Sequence, residues 1–473
     1  MIDPIALLSL AIAVALGYFG VSLWVPDAGG GSRWAPLLRT SLGAALGMGV
    51  TSCLYLLLVI AGAPARPVVI GLEVVALIVA GAGSLRRNAA PTTPPSITAF
   101  SLTWVLAGAA LLMIALFLSA FLTASELNPQ GGWDAFAIWN LRAHYLLHTE
   151  TWRFAVTSQP MGSHMEYPLL LSSFVARGWL YADAPSASVP ISIALIVSLA
   201  FAALLGSMLS VLRSPAVGLL AVLVLLANPY LWRAAPDQYA DLPLALFGLS
   251  AAAMLVLDPA PQGSPRYLTL AGMFTGFATG TKNEGTLLLV ALAAALLAAT
   301  WRGAGPRQAI RRVGFLLLGA LPVLGLSLWI KIFAAPPDPL VSGMGKDLLH
   351  KIGDAGRWMH IAAGFFQGLP AVALILLALT AALLRPRPAT ERSPACFLPL
   401  AAFAILLAGD FAVFLLTPDE TGWLLATALD RLYLQLWPLL ILGGFLLLRR
   451  PEDFAIPAVT APPPKAKRAR RSS

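Results

Sequence analysis

Apolar residues along this chain gather into blocks of roughly 17 to 25 residues, separated by short breaks rich in Pro, Gly and Arg. A block of that length is what an α-helix needs to cross the hydrocarbon core of a bilayer. The pattern predicts spans at 4–25, 36–62, 67–84, 100–123, 187–212, 216–233, 239–257, 267–281, 284–301, 313–334, 359–384, 395–417 and 428–448. Residues 168–182 are too short and, at Arg177, too polar for a span, so they are expected to dip into the interface. A transmembrane β-barrel would instead alternate apolar and polar positions over short segments. The expected fold class is an all-α polytopic membrane protein of about 13 transmembrane helices. In-plane amphipathic helices are expected within a long external loop.

Composition sharpens this. The 473 residues are 58% hydrophobic and 11% charged, with mean hydropathy +0.80. Soluble domains carry about 25% charged residues, so a soluble globule is excluded, and so is a disordered chain. The net charge of +9 does not point to nucleic acid, because the basic residues sit in short clusters at the ends of apolar blocks. That is the positive-inside pattern. Loops with Arg39, Arg213, Arg302, Arg312, Arg385 and Arg449 are assigned to the cytoplasm, while the alternate loops hold Asp134, Glu166, Asp237, Asp241 and Asp338. The first block follows Met-Ile-Asp-Pro without a basic lead, so it reads as a retained helix with an external N-terminus.

Four regions follow. Residues 1–99 hold N-terminal spans, 100–301 a core with the external loop 124–186, 302–450 the C-terminal spans, and 451–473 a disordered basic cytoplasmic tail suited to anionic lipid headgroups. The Pro/Gly/Ala/Arg bias fits a bacterial inner membrane. Cys53 and Cys396 lie far apart in apolar segments and read as buried small hydrophobes.

The chemistry concentrates on the external side. Gly131-Gly-Trp-Asp134 opens the long loop, and Phe136, Trp139, Leu146 and Leu147 suggest an in-plane helix anchored by Trp133, Trp139 and Tyr145. Asp134 at its start is either a helix cap or a functional acid, and both readings stand on the sequence. Arg142, His144, His148, His164 and Glu166 follow, and the histidines with Glu166 could form a divalent-metal site, though local hydrogen bonding accounts for them more simply. Tyr239 and Asp241 lie in the next external turn. Lys282, Asn283 and Glu284 interrupt an apolar stretch, where each charge costs about 2.5–3.5 kcal/mol on insertion scales. Arg431 opens the last span, well placed to hold a phosphate as a fixed fork of donors.

At Trp133-Asp134, Glu166-Tyr167-Pro168, Ala240-Asp241-Leu-Pro243 and Thr281-Lys282-Asn-Glu-Gly285 the sequence resembles the GT-C superfamily of integral-membrane glycosyltransferases. Protein O-mannosyltransferases and lipid A aminoarabinose transferases are the members it is most similar to. The ordered set covers residues 100–300, with Arg431 a looser match. Three spans ahead of the one that opens the loop, and Ala135 where many members carry a second acid, are departures, and the latter argues against a metal at Asp134. The resemblance implies inverting sugar transfer from a polyprenyl-phosphate donor to an acceptor, with membrane lipids around the site and no nucleic acid. It implies Asp134 as general base and Asp241 as its orienting catalytic partner. Lys282 and Arg431 would bind the donor phosphate, and Glu166, His164, Tyr239, Glu284 and Arg142 would contact substrate. The alternatives are a transporter or flippase of lipid-linked sugars, or a non-catalytic membrane scaffold.

Overall fold

The computed structural model describes residues 3–85, 102–157, 164–259 and 263–454. Among these the fold is helical, with no strand beyond one isolated bridge between Pro386 and Leu448. The chain opens with α1 (Pro4–Trp24), α2 (Ala35–Ile60), α3 (Arg66–Leu85) and α4 (Leu102–Leu127). A π-helical turn, Ala135–Asn140, leads into α5 (Leu141–Tyr145), α6 (Phe154–Thr157) and α7 (Leu170–Ala182). Then come α8 (Ser188–Leu212), α9 (Pro215–Leu226), α10 (Pro229–Ala234), α11 (Asp241–Leu257), α12 (Pro265–Thr281) and α13 (Glu284–Ala304). The remainder is α14 (Pro306–Phe333), α15 (Pro339–Met344), α16 (Leu348–Gly353), α17 (Ala355–Gln367), α18 (Ala371–Leu384), α19 (Leu398–Leu416) and α20 (Thr421–Leu447).

Nine of the described helices are long and apolar enough to cross a membrane, and α17 with α18 form a tenth if that pair, bent by 69°, is one broken span. The protein is a multi-pass membrane protein. The other three expected spans are α9, α11 and α12, of 12, 17 and 17 residues. At 1.5 Å per residue they reach roughly 18 to 26 Å, less than the ~30 Å hydrocarbon core.

Proline explains the broken ones. The expected span 216–233 is two helices, because Pro229 cannot donate to continue α9 and instead starts α10, which Asn228 caps through Tyr230 N–H at 3.0 Å. Pro370, after Gly368, separates α17 from α18 in the same way.

The stretch 168–182, expected to dip into the interface, holds helix α7 and is not among the helices long enough to span. Helix α7 is buried against α1, α2 and α8, and Arg177 is 0% exposed. It is tolerated there because Glu73 on α3 faces it in a bidentate pair, Nε to Oε1 at 2.6 Å and Nη2 to Oε2 at 2.5 Å. Of the residues expected to anchor the in-plane helix, one is placed differently. Trp139 is 1% exposed and stacked inside the protein, so it anchors nothing at an interface, whereas Trp133 and Phe136 are exposed.

Helices α12 and α14 make a close crossing, since a Cβ on Gly272 would overlap the Leu316 carbonyl and Gly319. This crossing and the packing of α11 against α12 and α20 hold the polar cluster described next. The basic loops meet at the opposite end, where Arg213 donates to the Leu448 carbonyl and Arg449 N–H to that of Arg385. Of the expected tail, Pro451–Phe454 form a 3₁₀ turn joined to the bundle by Ser214 and Glu452 at 3.0 Å. Arg86, Arg87, Ser163 and residues 455–473 lie outside the described residues.

Candidate functional site

Asp241 is the hub. It is the first residue of α11 and is fully buried, yet its carboxylate makes no capping bond to its own helix. Its Oδ1 accepts from Lys282 Nζ at 3.0 Å and Gln435 Nε2 at 2.6 Å, and its Oδ2 accepts from Arg431 Nε at 2.9 Å. Lys282 is brought there because α12 ends at Thr281 and α13 begins at Glu284, leaving it in extended backbone between two helices. Its ammonium also reaches Glu284 at 2.7 Å. Burial works against that charge, but the Asp241 and Glu284 carboxylates outweigh it and hold Lys282 above the ordinary lysine value.

Arg431 bridges two acids. Its Nη2 lies 2.9 Å from Asp241 Oδ2 and 2.6 Å from Asp134 Oδ2, and its guanidinium lies over the Tyr239 ring at 4.5 Å. Arg431 and Gln435 sit four residues apart on α20, on one face, which is why both reach the same carboxylate. Asp134 precedes the π turn without a capping bond from its side chain, so of the two sequence readings the cap is the one the geometry leaves out.

The loop that delivers Asp134 is pinned against the segment before α11. Gly132 N–H donates to the Asp237 carbonyl at 3.1 Å, and a Cβ on Gly132 would collide with the Tyr239 ring and hydroxyl. Gln238 supports the junction from φ +60°, a conformation rare for a non-glycine residue, and donates to the Pro129 carbonyl at 3.2 Å. Tyr239, Arg431, Asp237, Arg233 and Asp430 line a polar cleft of about 540 Å³ that opens from the cluster. Burial raises the Asp237 carboxyl within it.

A second arm comes from residues 164–168. Arg142 is buried and donates to the Met165 carbonyl at 2.6 Å and the Tyr167 carbonyl at 2.9 Å, so it acts on the shape of this loop. Burial lowers its pKa to about 10. Trp139, Tyr167 and His164 form a continuous stack, with centroids 5.6 Å and 4.5 Å apart. His164 Nδ1 meets Glu166 Oε1 at 2.8 Å. That bond raises the His164 pKa against the opposing effect of burial. Burial alone would raise Glu166, but the bonds from His164 and from its own backbone amide hold it below the usual carboxylate value. Asp134 and Lys282 both act on the His164 charge, so the two arms converge.

The structure thus brings Asp134, Tyr239, Asp241, Lys282, Glu284 and Arg431 into one cluster, with His164 and Glu166 beside it. Among the described residues no three His, Cys, Asp or Glu side chains gather as a metal could require, and His144 packs on Trp179 at 4.5 Å instead. Sequence reasoning gave no role to Gln435, whose signal was its spacing from Arg431, nor to Gln238. It also missed Lys331, which donates to Asn283 Oδ1 at 2.5 Å. Comparison of the chain with protein-family models, with curated proteins and with solved structures gives no match.

Proposed function

We propose that this protein is a GT-C-type membrane glycosyltransferase that moves one sugar, with inversion, from a polyprenyl-phosphate donor to an acceptor hydroxyl. On this reading it works at the external, periplasmic face of a bacterial inner membrane, its C-terminus is cytoplasmic, and its product belongs to the cell envelope. The observation that carries the reading is Arg431, shared between a sealed carboxylate, Asp241, and a reachable one, Asp134.

The chemistry follows from that sharing. Asp134 accepts the acceptor's proton as its oxygen attacks the anomeric carbon, and the bond from that carbon to the phosphate oxygen breaks. Protonation cancels the Asp134 charge just as negative charge builds on the departing lipid phosphate. Arg431 is thereby released toward the phosphate, its other donors still fixed by Asp241, and Lys282 adds a second positive charge close by. Asp241 and Gln435 keep these groups in place before reaction, so little reorganisation is needed. His164, Glu166 and Tyr239 border the substrates, and Arg142 shapes the loop that carries the first two.

The test is a mass profile of envelope glycoconjugates in a strain lacking the gene, complemented with wild type or Asp134→Asn at matched expression. Loss of a sugar that only the wild type restores supports the transferase. Equal restoration by Asp134→Asn removes the carboxylate from catalysis. A transporter or flippase of lipid-linked sugars draws on one observation: Asp410, within α19, is buried beside Glu284 in a cavity between α11, α13 and α20. Asp410→Asn restoring the glycan in full would remove that support.

A further inference from the structure

Glu284 is bonded on one side only. Its Oε1 holds Lys282 Nζ at 2.7 Å, while its Oε2 is buried with no hydrogen-bond partner among the described residues. An oxygen left in that state at membrane depth is costly. The cavity beside it, between α11, α13, α19 and α20, has room for about one water molecule. Its walls are apolar through Leu244, Leu288 and Leu406, and the side chains that bring polar atoms to it are Glu284, Asp410 and Gln435. Asp410 is 6% exposed, and no donor among the described residues bonds its carboxyl group. Gln435 has committed its amide nitrogen to Asp241 Oδ1 at 2.6 Å, so toward the cavity it offers an acceptor.

Counting hydrogens fixes the arrangement. A water in this cavity has two hydrogens to donate, and Glu284 Oε2 and the Gln435 oxygen take both. Its remaining bond is one that it accepts, and of these three side chains only Asp410 can supply the hydrogen, as a neutral acid. The charges agree. The three carboxylates of the central cluster already exceed its two cations by one, and an ionised Asp410 would add another negative charge with no cation in ion-pair contact among the described residues. The other groups on the elements packed around α19 are committed elsewhere. Tyr433 Oη donates to the Phe365 carbonyl at 2.6 Å, Arg357 on α17 to the Phe414 and Leu415 carbonyls, and Lys351 on α16 to the Leu416 carbonyl.

We propose that Asp410 is a positioning residue: as a neutral acid it donates a hydrogen bond through one buried water to Glu284 Oε2 and so holds that carboxylate aimed at Lys282. The ammonium is then steered from two sides, by Asp241 directly and by Asp410 through Glu284. The proposal rests on the transferase reading only for its effect on the rate of sugar transfer.

The experiment records infrared spectra of the purified full-length chain in nanodiscs of neutral phospholipid at neutral pH, in water and in heavy water. The carbonyl stretch of a protonated carboxyl group stands apart from those of carboxylates and amides. Wild type minus Asp410→Asn is expected to show such a band, displaced in heavy water, and the band is expected to persist in Glu284→Gln. Sugar transfer by the same preparations is the second readout. Asp410→Leu, which removes the donor, is expected to lower it about tenfold, and Asp410→Asn, whose amide still donates, to retain most of what Asp410→Leu loses. Gel-filtration profiles identify any variant that fails to fold.

No protonated-carboxyl band in wild type overturns the proposal, and so does a band that survives Asp410→Asn but vanishes in Glu284→Gln. A band that appears only when sodium is withdrawn would make the cavity a cation site instead. Folded Asp410→Leu with normal transfer would remove the positioning role. Asp410→Asn as inactive as Asp410→Leu would mean that the proton itself moves, as in a proton-coupled transporter. The Asp410 band in a protein whose Asp134→Asn variant still restores the glycan would keep the acid–water–carboxylate chain and discard the transferase.

Discussion

Two groups of buried charges can be compared directly. Glu73 and Arg177 join α3 to α7, both side chains 0% exposed, with Tyr181 Oη donating to Glu73 at 2.6 Å and Arg177 donating to the Ser9 carbonyl at 3.1 Å. Around Asp241, three carboxylates and two cations meet, and Asp134, Arg431 and Glu284 keep side-chain exposures of 16%, 17% and 26%. The first group is closed and balanced. The second carries one surplus negative charge and opens on a polar cleft. An ionisable residue at membrane depth is therefore not a pointer to function by itself. What separates the two is whether a further molecule can reach the charges.

The largest expected effect tests the open group. Arg431→Lys keeps the charge and loses the fork that binds Asp134 and Asp241 together. Sugar transfer by purified enzyme should fall by about 10²-fold or more, the cost of a misplaced catalytic group, with the thermal midpoint little changed. Near-normal transfer would show that charge alone suffices at this position.

The closed group should respond in stability instead. Arg177→Met leaves Glu73 buried and uncompensated, a change expected to cost about 3–5 kcal/mol. The double variant Glu73→Leu/Arg177→Met should recover most of that in a detergent unfolding assay, with activity per folded molecule intact. A double variant that folds but is inactive would erase the distinction drawn above.

The smallest effect lies at the rim. The His164 pKa is raised and the Glu166 pKa lowered by their bond, so the pair is stabilising while the imidazole is charged and the carboxylate ionised. The His164 contribution is full below the ordinary histidine value of about 6.5 and is lost as pH rises through its own higher value. The Glu166 contribution is present above about 4.5 and is lost as pH falls through its own lower value. In Glu166→Gln, the imidazole carbon resonance of His164 should titrate nearer 6.5, and an unmoved titration would mean the bond is not formed in solution.

Much of this was legible in the sequence. Apolar block length located the helices, the cost of placing Lys282 and Glu284 in an apolar stretch marked one part of the cluster, and the shared external face of Asp134, Asp241 and Arg431 marked the rest. Periodicity carries no information about pairing across the chain, so it gave no sign that Arg177 would be buried against Glu73, 104 residues away in sequence. Lys331 was hidden differently. It sits in the last turn of a span, where a lysine is ordinarily read as reaching for the headgroups. Trp139 was misplaced because an aromatic residue in an interfacial loop satisfies the same composition whether it faces lipid or a neighbouring ring.

The π-helical turn at Ala135–Asn140 has a geometric corollary. A π turn accommodates one residue more than an α turn, and in an α-helix each residue advances the side chains by about 100°. The turn therefore works as a phase shifter between Asp134, which faces α20, and Arg142, which faces the 164–168 loop. Losing a single residue there would leave composition and length almost untouched. It would swing one of those two side chains roughly a quarter-turn out of register with its partner.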